Sequence, residues 1–120
     1  MELANIVNLT PHNVNLYISD DVVVTIPPAE NARPVRVSDA QTLLTGGQWE
    51  GPVPIIRVTA GEVANLPAPR KGVWLIVSRI VAQALPQRSD LLAPYQEVRD
   101  ENNQIVGCRA LATFANEVIA

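Results

Sequence analysis

His12 and Cys108 are the only histidine and the only cysteine in the 120-residue chain, so any acid, base or nucleophile chemistry has few places to start. His12 sits two residues after Thr10 in Thr10-Pro11-His12-Asn13. An imidazole there could serve as a lone acid or base, although one histidine in a Pro-containing turn reads more simply as a surface or turn-stabilising residue. Cys108 lies between Gly107 and Arg109 in a strand-like segment. It is either a thiolate beside a cation or, the simpler reading, a small buried hydrophobe. The chain contains no nucleophile elbow, phosphate-binding glycine loop, HExxH pair or closely spaced carboxylate cluster, which removes the parts list of most familiar enzyme classes. The expectation is a non-enzymatic protein with no catalytic residue, no metal site and no cofactor.

The residues that could hold a ligand are mostly arginines. Eight of the nine cations are arginine, Lys71 being the exception, and a planar guanidinium suits bidentate contact with phosphate or carboxylate. A GC-rich genome would give the same bias. Arg57 and Arg109 interrupt otherwise apolar strand patterns, where a guanidinium must face water, pair with a carboxylate or line a pocket. Arg88 adds a third fork, with Asp90 beside it. A strand followed by Ser78 and a helix offers free backbone N–H groups and the positive end of a dipole, with Arg79 in the first turn. That junction suits an anion such as phosphate; alternatively Ser78 caps an ordinary helix and Arg79 points to solvent.

The elements that must carry these residues read as short strands. Residues 5–9 and 14–19 are extended, and Ser19-Asp20-Asp21 turns into the β-branched run 22–26 to give a hairpin, which Pro27-Pro28 stops. Ser38-Asp39-Ala40-Gln41 has the spacing of a capping box and predicts a short helix before Gly46-Gly47. After a loop over 46–54, residues 53–58 look extended. Thr59-Ala60-Gly61-Glu62 then predicts a second short helix ending before Pro67, weakened by Gly61. Residues 67–72 form an exposed connector into Val73-Trp74-Leu75-Ile76-Val77, a buried strand in the centre of the sheet. The helix after Ser78 places Ile80, Val81, Ala84 and Leu85 on one face and ends at Pro86. Asp100-Glu101-Asn102-Asn103 is a hairpin turn between strands at 96–99 and 104–114. The whole predicts a single compact α+β domain over 1–120, with an antiparallel-dominated sheet and one or two short helices.

Formal charge is −3, apolar residues make up 48% and aromatics 4%. Without a basic block there is no footprint for duplex nucleic acid or an anionic membrane. The start of the sequence lacks the pattern of a signal peptide, no apolar run approaches the ~20 residues of a membrane span, and one cysteine suits a reducing cytosol. A small phosphorylated ligand in the cytoplasm is the expected partner.

Three segments resemble a group of short phage and prophage proteins: Asn5-Ile6-Val7-Asn8-Leu9-Thr10-Pro11-His12, residues 73–83, and Arg88-Ser89-Asp90-Leu91-Leu92-Ala93-Pro94 through Val98-Arg99-Asp100 to residues 105–111. The group is similar to the phage anti-Thoeris sponge proteins of the first described type, which bind cyclic ADP-ribose isomers and, in some members, cyclic oligonucleotides without degrading them. The resemblance implies a homo-oligomer in the infected bacterial cell that sequesters a cyclic nucleotide signal and so counters anti-phage defence. It points to Arg109 first and to Asn8, Thr10 and His12 next as ligand contacts; residues 28–52 match nothing in the group. A different class remains open, a phage structural or host-interaction protein that binds another protein through strand edges or an apolar patch.

Overall fold

The computed structural model describes residues 5–30, 33–44 and 51–116. The elements run β1 (Ile6–Asn8), β2 (Val14–Tyr17), β3 (Val23–Ile26), β4 (Arg36–Leu43), β5 (Ile56–Ala64), β6 (Trp74–Ile76), α1 (Arg79–Ala84), β7 (Leu91–Arg99) and β8 (Ile105–Ala112). Six strands form one sheet in the order β1-β6-β7-β8-β2-β3, and β4 and β5 form a separate two-stranded ribbon.

The large sheet is mixed, which corrects the antiparallel-dominated expectation. Among the described residues β1 to β6, β6 to β7 and β8 to β2 run parallel, while β7 to β8 and β2 to β3 run antiparallel. The turns at 18–22 and 100–104 are visible in sequence because a hairpin needs only a few polar residues. β6 and β7 are joined through α1, the crossover that parallel neighbours use, whereas β1 and β6, and β8 and β2, are far apart in the chain and no local signal specifies them. For the same reason β6 lies one strand in from the β1 edge rather than at the centre.

Side chains alternate along β6 and β7 between two apolar clusters. Leu75, Val77, Leu91 and Ala93 join Leu9, Val81 and Ala82 in one cluster. Ile76 belongs to the other, with Val14, Leu16, Ile26 and Cys108, and Leu92 packs against it. A strand covered on both faces reads as a continuous apolar run, which is why 73–77 shows no alternation in sequence.

Both capping-box helices are replaced by strands. Ser38 Oγ donates across the ribbon to the Glu62 carbonyl at 3.3 Å instead of capping a turn. The register shifts between Val37 and Asp39, opposite Gly61. A Cβ on Gly61 would lie 2.8 Å from Ser38 Oγ and 2.9 Å from its carbonyl oxygen, so the glycine that weakens a helix here permits a bulge. β-Branched Ile56, Val58, Thr59 and Val63 favour the extended state, and pairing along the ribbon outweighs the cap signals. Part of the expected 46–54 loop, residues 46–50, lies outside the described residues.

The one helix begins as expected, Ser78 Oγ accepting from the Val81 amide at 3.4 Å. Its buried face differs from the expected one: Val81 and Ala82 are buried, Ala84 and Leu85 are half-buried, and Ile80 is 66% exposed. Six residues make fewer than two turns, so packing against β7 and the β4–β5 ribbon sets the inward face, not periodicity. No helix among the described residues is long and apolar enough to cross a membrane.

Candidate functional site

The expected ligand residues separate into several places. Asn8 is only 1% exposed and its amide is committed within the turn that follows β1. Nδ2 donates to the carbonyls of His12 at 2.8 Å and Ile26 at 2.9 Å. Oδ1 accepts from the Thr10 amide at 2.9 Å and lies 2.6 Å from the Thr10 hydroxyl. Asn8 therefore ties the Thr10–Asn13 turn to the end of β3, and its hydrogen-bonding capacity is filled without a ligand.

Thr10, His12 and Ser78 do come together, at a cleft of about 430 Å³ that also takes Asn15, Glu97 and Cys108. Its polar groups are largely engaged. Asn15 donates to the Val106 carbonyl at 3.1 Å and accepts from Thr25 Oγ1 at 2.8 Å. Glu97 pairs with Arg99 at 2.9 Å. Burial pushes the Cys108 thiol up, against smaller opposing effects of backbone hydrogen bonds from Tyr95 and Ala110, so it is not an activated nucleophile. No arginine or lysine lines the cleft, so it offers an anion no cation to pair with.

The arginines are dispersed. Arg79 lies against two rings, its guanidinium carbon 5.6 Å from the Tyr95 centroid and 5.4 Å from that of Phe114, a cation–π position in place of an anion contact. Arg109 pairs with Asp20 at 2.7 Å on the surface. Arg57 is exposed on the ribbon strand β5. Arg88 holds Asp90 and also donates to the Pro67 carbonyl at 3.0 Å.

A second cavity, about 440 Å³, is assembled where the 69–72 connector enters β6 beside the 88–90 turn, and Arg70, Lys71, Trp74, Ser89 and Asp90 line it. A four-residue turn shapes its cationic wall: the Val73 amide donates to the Arg70 carbonyl at 3.1 Å, and Gly72 takes φ +77° with open space around it, the conformation a type II turn reserves for glycine. Neither Arg70 nor Lys71 makes an ion pair among the described residues. The one carboxylate on the wall, Asp90, has both oxygens held by Arg88, which lowers its pKa first through the hydrogen bonds and also through charge. The cavity therefore carries two uncompensated cations and the half-buried ring of Trp74.

This arrangement suits a planar ring bearing an anionic group: the indole offers a stacking surface, and a guanidinium and an ammonium offer charge. Asp90 is the expected site residue on this wall, with Arg88 behind it. Arg70, Lys71 and Trp74 were not singled out as ligand residues by the sequence, where they read as an exposed connector and a core strand. The usable signal is the sole lysine following an arginine, with glycine next and tryptophan two residues after that. Among the described residues no group of three or more His, Cys, Asp or Glu side chains is placed to hold a metal ion. Comparison of the chain with protein-family models, curated proteins and solved structures finds no match in any of the three.

Proposed function

We propose that this chain is a non-catalytic binding protein that sequesters a small phosphorylated ligand of the cyclic nucleotide class, a cyclic ADP-ribose isomer or a cyclic oligonucleotide, without cleaving it. The observation that carries the reading is the Arg70–Lys71–Trp74 cavity, where two cations free of ion pairs among the described residues flank an aromatic ring and the neighbouring carboxylate is neutralised by Arg88. Its volume of about 440 Å³ falls within the range of small-ligand pockets. The class of ligand comes from the phage-like segments, and with it the role of countering host defence from within an infected bacterial cell.

Capture without turnover needs affinity and copy number only. Phosphate oxygens would meet Arg70 and Lys71, a base would stack on Trp74, and Ser89 would supply a neutral hydrogen bond. Arg88 and Asp90 act here as positioning residues that hold the 88–90 turn as one wall of the cavity.

Isothermal titration calorimetry with cyclic ADP-ribose isomers and with cyclic di- and trinucleotides tests the reading. Binding is expected for at least one of them, with ligand recovered chemically intact after heat release. Trp74→Ala and the double change Arg70→Ala, Lys71→Ala should each weaken it at least about tenfold, a loss of roughly 1.4 kcal/mol. Absence of heat with every ligand, or unaltered affinity in both variants, overturns the assignment to this cavity.

A further inference from the structure

β1 and β3 are the two edge strands of the large sheet, and the chain joins them at one end only. Just past β3, Pro28 bridges Asn8 in the parallel sense, and the Ala29 amide donates to the Asn8 carbonyl at 2.8 Å. The six strands thus curl into a barrel whose seam is closed at Asn8. Towards the starts of β1 and β3 the seam opens into a cleft of about 540 Å³, with Ile6 and Val7 on one side and Val24, Thr25 and Ile26 on the other.

Both rims of this cleft are unpaired backbone. The Trp74 amide donates to the Asn5 carbonyl and the Leu9 amide to the Ile76 carbonyl. Alternate residues of a parallel strand bond to the same neighbour, so Asn5, Val7 and Leu9 face β6 and the backbone groups of Ile6 face the seam. On the other rim the Ile18 amide donates to the Val22 carbonyl, and the register continues through Leu16 opposite Val24 and Val14 opposite Ile26. Hydrogen-bonded pairs alternate in an antiparallel ladder, which turns the N–H and C=O of Val23 and Thr25 to the seam. Among the described residues no partner meets these groups of Ile6, Val23 or Thr25. Ile6 packs against the inner cluster that holds Ile26 and Ile76, and Val24 shares a face with Ile26 two residues on. The floor is therefore aliphatic, and no charged residue lines the cleft.

We propose that the open seam binds an extended aliphatic segment of another protein, which pairs with the free edge of β3 and completes the barrel. The unpaired backbone decides the occupant: a row of N–H and C=O groups along a strand edge is matched by another extended backbone, the strand-addition mode of peptide recognition. From Val23 to Ile26 the edge runs about 13 Å, four residues at ~3.3 Å each. Alternate side chains of the segment would rest on Ile6, Val24 and Ile26, which calls for valine or isoleucine at every second position. Asp21, two residues before Val23 at the wide end of the seam, makes no ion pair among the described residues. A lysine or arginine at that end of the segment would meet an opposite charge. All eight described strands are already paired within the sheet or the ribbon, so a second copy has no free extended segment of this kind to lend among its described residues. The inference is independent of the ligand reading, and its failure would leave that reading untouched.

Fluorescence anisotropy on the full chain tests it, with labelled hexapeptides Lys-Val-Thr-Val-Thr-Lys in which both valines are kept or replaced by isoleucine, alanine or aspartate. The valine and isoleucine peptides are expected to bind with a Kd of about 100 µM or tighter, the alanine peptide at least about threefold more weakly, and the aspartate peptide not measurably. N-methylation of both valines, or of both threonines, removes the donors along one edge of the peptide. One of these two methylated forms should bind at least about tenfold more weakly. Val23→Pro deletes an N–H that faces the seam, at the first residue of a strand, where proline is tolerated. It should weaken binding at least about fivefold while the far-UV circular dichroism spectrum is retained, and the methylated peptides carry the test if this variant does not fold. Absence of binding by both the valine and isoleucine peptides, or full affinity in both methylated forms, overturns the proposal. A parent chain that sediments as a dimer and becomes monomeric with Val23→Pro would place a second copy in the seam and overturns it as well.

Discussion

Arg88 grips Asp90 with two parallel hydrogen bonds, Nε to Oδ1 and Nη2 to Oδ2, each 2.8 Å. The side chains are 17% and 13% exposed, so the pair is largely withdrawn from water. Because the carboxyl pKa is lowered in the folded state, the pair's contribution is fully present above the unfolded carboxylate range near pH 4. It is lost as pH falls through that range towards the folded value. Asp90→Asn should cost about 1–3 kcal/mol near neutral pH, since Arg88 is left without its partner, and should flatten the acid limb of the stability curve. Urea melts of parent and variant from pH 7 down to pH 3 measure both effects; an unchanged acid limb would refute the role given to the pair.

Asn8 links two strands through a turn, so its loss should be felt globally. Asn8→Ala leaves the His12 and Ile26 carbonyls without their donor and Thr10 without its acceptor, and about 2–4 kcal/mol of destabilisation is expected. Asn8→Asp should be nearly as harmful, because a carboxylate cannot donate to the two carbonyls. Thermal melts monitored by circular dichroism would report this, and a melting temperature within a degree of the parent's would contradict it.

Gly107 allows β2 to approach β8. A Cβ there would lie 2.5 Å from the Asn15 carbonyl oxygen and 2.5 Å from Tyr17 Cε1, and the first of these is backbone that cannot rotate away. Gly107→Ala should destabilise by at least about 1–3 kcal/mol through overpacking. Gly72→Ala, with nothing within 4 Å but φ +77°, should cost about 1 kcal/mol from backbone conformation alone. Chemical denaturation of the two variants separates contact from conformation.

Cys108 is 3% exposed and its thiol is pushed up by burial. Alkylation by iodoacetamide at pH 8 should therefore be at least about a hundredfold slower in the folded chain than in denaturant, since both access and thiolate fraction fall. Comparable rates by intact-mass spectrometry would show that the interior opens readily.

The helix at Ser78 and the two polar hairpin turns were legible because their signals are local: a capping hydroxyl and a short run of turn residues between β-formers. Ser38 and Thr59 carry the same kind of cap signal, and there it misleads. Each helix would have been short, whereas the ribbon pairs both segments along their lengths, with Gly61 making room for the bulge. The candidate site was less legible. The Arg88-Ser89-Asp90 segment stood out, while Arg70, Lys71 and Trp74 looked like linker and core until the parallel pairing of β6 with β7 set them beside the 88–90 turn.

Composition and local pattern alone determined a strand-rich chain with a Ser78-capped short helix, one histidine, one cysteine and an arginine-weighted charge set, because these depend on residue type and near neighbours. Tertiary structure decided the parallel strand order, the ribbon's exposed outer face and the partners of Arg79, Arg88, Arg99 and Arg109. Those depend on segments tens of residues apart being brought within hydrogen-bonding distance, as when Asp20 takes up Arg109, and no short-range pattern encodes that meeting.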